Sequence, residues 1–123
     1  MNIARTTGLN DTLLALASPT RRAILERLSR GEVRVTDLAA PFSISLNSVS
    51  KHIRLLERAR LVQRRVSGRE HILSFNPSPL DEAAGWIETQ RRLWTRRLWA
   101  LDALLKEEDR AKGSRKKKSR GVR

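Results

Sequence analysis

The chain has 123 residues, enough for one domain with a modest core, and its 26 basic against 13 acidic residues give a net charge of +13, which indicates a polyanionic partner. The absence of cysteine excludes disulfides, thiolate metal sites and thiol nucleophiles. Because there is no apolar run of transmembrane length and no signal peptide, we expect a cytoplasmic protein with no membrane association.

The first third of the chain predicts two helices separated by a short break. Apolar residues at helical spacing predict a first helix over residues 9–17: Leu9, Leu13, Leu16 and Ala17. Ser18 is typical of an N-cap, and Pro19 suits the first turn of a second helix that ends before Gly31. In this second helix, Ile24 and Leu25 are predicted to pack inward. Three arginines are expected to stay in solvent: Arg21, Arg22 and Arg27.

Residues 35–56 show the pattern of a helix-turn-helix. Residues 35–40 predict a short helix that ends at Pro41, and residues 46–56 predict a second one. Apolar residues of the second helix recur at i, i+3, i+7 and i+10, so one side packs inward: Leu46, Val49, Ile53 and Leu56. The opposite side is polar and cationic, as in helices that enter a DNA major groove: Asn47, Lys51, Arg54 and Arg58.

A β-hairpin is predicted directly after this helix-turn-helix. Residues 61–66 and 69–75 are rich in β-branched and apolar residues and flank a two-residue turn at Ser67-Gly68. A helix-turn-helix followed by a hairpin is a winged helix. The predicted fold class is therefore mainly α with a small β-hairpin.

A long last helix is predicted from Pro79 to about Asp109, with Ser78 as its cap. Its apolar stripe is longer than a terminal helix of so small a core needs: Leu80, Ala84, Ile87, Trp94, Leu98, Leu101 and Leu105. Part of the stripe is therefore predicted to pack against a second copy in a two-fold dimer. The predicted dimer interface consists of Leu9, Leu13, Ile87, Trp94, Leu98 and Leu101.

The last 14 residues form a low-complexity basic segment. Residues 110–123 hold eight Lys or Arg and no acid, whereas residues 1–109 have a net charge of only +5. The sequence thus predicts a folded domain over residues 1–109 and a disordered polybasic tail over residues 110–123. Such a tail is expected to raise DNA affinity through counterion release, or else simply to keep the protein soluble.

Two ordered motifs give the chain a resemblance to a known family. Residues 49–62 read V-S-K-H-I-R-L-L-E-R-A-R-L-V, and residues 16–25 read L-A-S-P-T-R-R-A-I-L. Both resemble segments of the ArsR (arsenic-repressor) family of winged-helix transcriptional regulators, and the match extends over about residues 9–106. The resemblance implies a DNA-binding homodimer that represses transcription by occluding a promoter.

The chain departs from that family at its metal-sensing positions. Metal-sensing members carry paired cysteines where this sequence has Arg34 and Thr36, and others use His on the last helix, which has none here. We therefore expect a member with no metal site and no cofactor. Two glycines common in relatives are also replaced, by Ser43 before the recognition helix and Arg60 after it.

The candidate DNA-binding residues lie on the second helix of the motif and on the wing. Asn47 and Lys51 can reach base edges, whereas Ser45 and Ser48 at the helix N-terminus suit phosphate. His52 is either a satisfied structural histidine or a donor to the DNA backbone. Wing arginines are expected to contact the minor groove or phosphate. The predicted set is Ser45, Asn47, Ser48, Lys51, His52, Arg54, Arg64, Arg65 and Arg69, with Arg69 the strongest wing candidate.

These features predict a sequence-specific transcriptional regulator, expected to be a homodimeric repressor of an inverted-repeat operator. The alternative is an architectural protein that coats DNA with little sequence preference, driven by the charge of +13. An enzyme is not expected, because the sequence has two histidines in no recognisable catalytic motif and no glycine-rich phosphate loop. The sequence leaves open whether a small-molecule effector binds.

Overall fold

The structure is a computed structural model that describes the backbone of residues 3–121 and the side chains of residues 8–113. Its elements follow in chain order: α1 (Ile3–Leu16), α2 (Pro19–Leu28), β1 (Val33–Arg34), α3 (Val35–Ala39), α4 (Leu46–Arg58), β2 (Val62–Ser67), β3 (Glu70–Phe75) and α5 (Ser78–Gly121). Residues up to Gly85 form one compact unit, and residues from Trp86 onward form a second. This is the mainly helical winged helix-turn-helix that the sequence predicts.

The wing is a three-stranded antiparallel sheet with the order β1-β3-β2. The short strand β1, which the sequence did not predict, pairs Val33 with Leu73. The hairpin turn lies one residue later than predicted, because Ser67 pairs with Glu70 and leaves Gly68 and Arg69 in the loop. Gly68 has a φ of +63°, which suits the first central position of a two-residue hairpin turn.

The core of the first unit centres on helix α4. Val49, Ile53 and Leu56 have no exposed surface, and they pack with residues of α2, α3 and β3, including Ile24, Leu38 and Leu73. Fully burying each such side chain contributes about 1.5–3 kcal/mol. The predicted inward position of Leu46 is wrong, because this residue begins the helix and is 53% exposed.

The first two helices meet at the predicted N-cap. The Oγ of Ser18 accepts a hydrogen bond from the backbone N–H of Arg21 at 3.3 Å, and Pro19 occupies the first turn of α2. Helix α1 begins at Ile3, earlier than the predicted residue 9. Among the described side chains of α1, Thr12 and Ala15 are buried, and the Thr12 hydroxyl is satisfied because it donates to the carbonyl of Gly8 at 3.0 Å.

Helix α4 ends in a Schellman motif built on a non-glycine residue. The N–H of Leu61 donates to the carbonyl of Leu56 at 3.0 Å, and the N–H of Arg60 donates to that of Glu57 at 2.9 Å. Arg60 takes a left-handed φ of 63°, the conformation for which relatives use glycine. Ser43, which replaces the other glycine, does not have a positive φ, so that replacement imposes no left-handed strain.

Helix α5 differs from its prediction at both ends. It begins at Ser78 itself, so Pro77 and not Ser78 occupies the cap position and accepts the N–H of Asp81 at 3.1 Å. The N–H of Ser78 donates to the Oδ1 of Asn76 at 3.3 Å. The helix continues to Gly121 and does not end near Asp109, since the Lys, Arg and Ala residues that follow favour helix and no proline interrupts them. The expected disorder of residues 110–123 in solution stays a prediction.

We expect Arg60→Gly to stabilise the fold by about 0.5 kcal/mol. A left-handed L-residue costs about 1–2 kcal/mol, and glycine removes that cost but returns about 0.4–1 kcal/mol through its greater freedom in the unfolded chain. Urea unfolding followed by circular dichroism measures the difference. Arg58→Gly, inside the helix, is the control and should destabilise by about 1 kcal/mol. A loss of stability in Arg60→Gly would contradict the left-handed assignment.

Candidate nucleic-acid interface

The N-terminus of α4 is closed by a pair of serines. The Oγ of Ser45 accepts the backbone N–H of Ser48 at 3.1 Å, which makes Ser45 the N-cap. The same Oγ donates to the Ser48 Oγ at 3.0 Å. Because the Ser48 oxygen is the acceptor in that contact, its own hydroxyl hydrogen is free to donate to a ligand.

The outward side of α4 carries unpaired polar and cationic groups. Asn47, Lys51 and Arg54 are all exposed, and neither cation forms an ion pair with a described residue. They lie opposite Val49, Ile53 and Leu56, so burial of the apolar side fixes the direction in which they face. Three of the predicted site residues are therefore together on one accessible surface.

His52 lies at the border between this surface and the core. It is half-buried, and its Nδ1 lies 3.1 Å from an Nη1 of Arg21. Burial, and then the positive charge of Arg21, lower the pKa of His52 from its ordinary value of 6.5. His52 is thus neutral at pH 7.

Arg21 corrects the sequence prediction that it stays in solvent. Its side chain is buried, with Nε donating to the carbonyl of Ala15 at 2.8 Å and Nη2 to that of Leu14 at 2.9 Å. Arg21 precedes Ile24, Leu25 and Leu28 at the spacing of one helix face, so the pattern held a signal for its burial. That burial was nonetheless not predicted, because the partners of the Arg21 guanidinium are two backbone carbonyls at the end of α1, and such partners cannot be identified from sequence.

Two of the three arginines predicted to contact DNA from the wing form ion pairs within the protein. Arg64 forms a two-point ion pair with Glu57 of α4, its Nη2 2.7 Å from Oε1, and its Nη1 lies 3.2 Å from the Nδ1 of His71. Arg65 pairs with Glu32 at 2.9 Å. The sequence did not identify either glutamate as a partner, because both pairs join residues from different elements.

Arg69 is the wing arginine that is left free. It occupies the tip of the hairpin beside Gly68, is exposed, and pairs with no acid among the described residues. A shallow groove connects the wing to the start of α3 and is lined by Arg34, Val35, Thr36, Arg64, Arg69, Glu70 and His71. The single acid of the groove, Glu70, pairs with Arg34, and Arg64 pairs with Glu57 outside it, so Arg69 is the lining arginine without an ion pair among the described residues.

The positions that hold thiolates in metal-sensing relatives cannot take a metal in the same way here. The guanidinium of Arg34 is held between Asp37 at 2.9 Å and Glu70 at 2.8 Å, and Thr36 offers only a hydroxyl. In the described part of the chain, no three His, Asp or Glu side chains come together as a metal-binding group. The residues present do not fit the family's metal site.

The predicted dimer residues lie on two helices and leave apolar surface in contact with water. On α1, Leu9 is half-buried and Leu13 is 38% exposed. On α5 the exposed members of the stripe are Ala84, Ile87, Trp94, Leu98, Leu101 and Leu105. Arg91, the single polar interruption, is held by Glu88 at 2.7 Å and makes the pKa of that carboxyl lower than usual.

Comparison with known proteins agrees with this geometry. Residues 16–65 match a family model described as a helix-turn-helix domain. The chain is 37% identical over 94 residues to the HTH-type transcriptional regulator Rv2034 of Mycobacterium tuberculosis, covering 76% of this chain and 85% of that protein. It is 32% identical to the transcriptional repressor SdpR of Bacillus subtilis, covering 64% of this chain and 88% of the relative.

Solved structures give the same answer. The crystal structure of an ArsR family transcriptional regulator superimposes with a TM-score of 0.68 at 40% identity, covering 72% of this chain and 97% of that one. The chain belongs to the ArsR family. An ArsR-like regulator from Rhodococcus sp. RHA1 gives a TM-score of 0.72 at 28% identity, covering 80% of this chain and 93% of that one. This ArsR-family chain is accordingly a DNA-binding transcriptional regulator of the winged-helix type, and no helix in its described part is long and apolar enough to span a bilayer.

We expect His52 to make the stability of the fold depend on pH near neutrality. The pKa of His52 is lower in the folded protein than in the unfolded chain, so at a pH between these two pKa values the unfolded chain binds more protons. The contribution of His52 is therefore complete above pH 6.5 and is lost as the pH falls through the folded pKa. Urea unfolding at pH 7.5 and 5.5 measures this loss. His52→Asn is the control, because any pH dependence that it retains comes from the carboxylates and other groups. An equal pH dependence in both proteins would contradict the prediction.

Proposed function

We propose that this protein is a homodimeric, metal-independent repressor that binds an inverted-repeat operator through α4 and the wing. The observation that carries the proposal is the outward side of α4, where Asn47, Lys51 and Arg54 are exposed and free of intramolecular partners. A helix held by its apolar side against a winged-helix core can present such a side to the major groove.

The candidate residues divide into two roles along α4. Asn47 and Lys51 read base edges, Asn47 through its amide and Lys51 as a donor to guanine acceptors. Ser45 and Ser48 contact phosphate, since the helix dipole and the free Ser48 hydroxyl favour an anion at this end. Arg54 contributes charge on the same side.

The wing contributes chiefly through Arg69. The ion pairs of Arg64 with Glu57 and of Arg65 with Glu32 satisfy both guanidiniums, although exposed pairs of this kind can exchange for phosphate at low cost. Arg69 needs no such exchange and suits the minor groove or the backbone beside it.

Dimerisation is supported by the apolar surface on each of the two helices. The stripe residues Ile87, Trp94, Leu98 and Leu101 are 52–60% exposed, and an exposed apolar surface of this kind is typical of a protein–protein interface. A two-fold dimer would place two copies of α4 about one DNA turn apart, roughly 34 Å, and so requires inverted half-sites. Repression is supported by the 32% identity to the repressor SdpR.

Metal independence is supported by the residues at the sensing positions. Arg34 is a cation already held by Asp37 and Glu70, and a guanidinium cannot ligate a metal ion. Any regulation of DNA binding would then come from another signal.

A second candidate function is that of an architectural protein with little sequence preference. It is favoured by the eight basic residues between positions 110 and 123. Footprinting in excess random DNA separates the two functions, because a specific regulator keeps its footprint whereas a coating protein loses it.

We expect Lys51→Ala and Asn47→Ala each to weaken binding to a selected operator by about 1–3 kcal/mol and to relax the preference at the base they contact. Arg69→Ala should weaken binding with a smaller effect on preference. Fluorescence anisotropy on operator and scrambled duplexes measures both quantities.

Arg27→Ala is the matched control for these variants, because it removes one exposed charge from α2, away from the proposed surface. Adding micromolar zinc or arsenite to the same assay should leave the affinity unchanged. Operator binding at parental strength by both the Lys51 and the Asn47 variants would refute the assignment of α4 as the reading helix.

We expect Leu98→Glu to separate the dimer, because a carboxylate buried without a partner where two copies meet costs about 3–5 kcal/mol of association. Sedimentation equilibrium measures the mass, and operator affinity should fall in parallel. Ala103→Glu adds the same charge on the side of α5 away from the stripe and should remain dimeric. A wild-type protein that is monomeric at micromolar concentration yet binds one half-site with full specificity would exclude the dimer.

A further inference from the structure

Arg21 is a buried cation whose contacts include no carboxylate. Its Nε and Nη2 donate to the carbonyls of Ala15 and Leu14, and its Nη1 lies 3.1 Å from the Nδ1 of His52. The two carbonyls belong to the last turn of α1, where the helix dipole is negative and favours a positive charge. One side chain of α2 thus joins the end of α1 to the middle of α4.

This contact determines which nitrogen of His52 carries the proton. A guanidinium can donate hydrogen bonds but cannot accept them, so the Nδ1 of His52 has to be the acceptor. An imidazole that accepts at Nδ1 is neutral and carries its hydrogen on Nε2. Protonation of Nδ1 would place two donors against each other at 3.1 Å and is therefore opposed.

The Nε2–H group that results is not completely buried and has no partner among the described residues. Among the described residues, no buried side-chain nitrogen or oxygen lacks a hydrogen-bond partner, and Nε2 has no partner, so it is not buried. His52 follows Ser48 by four residues and Ser45 by seven, which places all three along one edge of α4. The free Ser48 hydroxyl and the Nε2–H of His52 therefore lie on the same edge.

We propose that Arg21 is a positioning residue for DNA binding: it holds His52 neutral with Nε2–H directed to the edge of α4, where that group donates to a backbone phosphate next to the Ser48 hydroxyl. This proposal rests on the proposed function, since the phosphate belongs to the operator. The donor in this DNA contact is then a neutral group, so His52 adds affinity without adding to the salt dependence.

The first test is ¹⁵N NMR of the full chain, which reports the tautomer and titration of His52 without any DNA. The wild-type ring should show Nε2–H at pH 7 and titrate below the ordinary pKa of 6.5. In Arg21→Gln, which removes the charge, His52 should titrate at a higher pH, and operator affinity should then change between pH 7.5 and 6. Wild-type affinity should change less over the same interval.

A matched pair of variants separates the two sides of the ring. Asn places its amide at the position of Nδ1, so His52→Asn can still accept from Arg21 but lacks the outer donor. It should keep the thermal stability of the parent and bind the operator about tenfold more weakly. Gln places its amide at the position of Nε2, so His52→Gln keeps an outer donor but leaves Arg21 without its acceptor. It should lose thermal stability and also bind the operator more weakly than the parent, because the donor is no longer held in place.

The outcomes distinguish this proposal from the one on which it rests. Failure of the wild-type protein to bind any selected operator refutes the proposed function, while the NMR titration still decides the Arg21 contact. If the wild type binds and His52→Asn binds equally tightly, His52 does not donate to DNA and the inference is wrong. A proton on Nδ1 in the wild-type spectrum overturns it as well.

Discussion

Burial of the inner edge of α4 is the constraint on which the rest of the molecule depends. Val49, Ile53 and Leu56 are fully enclosed by α2, α3 and β3, so the helix cannot rotate about its axis without exposing them. Successive residues of a helix are separated by a fixed angle, and the direction of Asn47 and Lys51 follows directly. The proposed DNA-binding surface is in this sense specified by residues on the opposite side of the helix.

The acids of the first unit decide where its positive charge is available. Glu57, Glu32 and Glu70 take up Arg64, Arg65 and Arg34, all at exposed sites where an ion pair contributes at most about 1 kcal/mol to stability. Their larger effect is on the field, since each pair removes a free cation from the sides of the wing. The exposed cations without an ion pair in the described part of this unit include Lys51 and Arg54 on α4 and Arg69 at the hairpin tip, on the proposed DNA surface, and also Arg27 and Arg30 near the end of α2.

The features that could be predicted from the sequence are those set by local patterns. The apolar spacing of α4 and the serine cap at Ser18 each depend on residues close together in the chain, and the structure agrees with them. The two-residue strand β1 was not predictable, because its pairing with Leu73 bridges forty residues and two residues carry no periodicity. The hairpin turn was misplaced by one residue because both Ser67-Gly68 and Gly68-Arg69 are compatible with a glycine at positive φ.

The residues of the candidate site could be predicted from the sequence, but the hydrogen bonds between them could not. The sequence identified His52 as either a structural or a DNA-contacting residue, and the structure shows that its two nitrogens have separate environments. The contact with Arg21 joins residues 31 positions apart, and no spacing rule connects them. The burial of Arg21 was also missed, because charged residues are usually solvated and its partners are backbone carbonyls, which every sequence contains.

The placement of the aromatic residues makes the two units spectroscopically distinct. The chain has no tyrosine, and its three tryptophans, Trp86, Trp94 and Trp99, all lie on α5 beyond Gly85 with between 47% and 75% of their surface exposed. Near-ultraviolet emission excited at the indole band therefore arises from the second unit alone. A blue shift of that emission on raising the protein concentration would report that another molecule covers the tryptophans of α5. A structural change confined to the first unit would not be reported by a tryptophan of that unit, since it contains none.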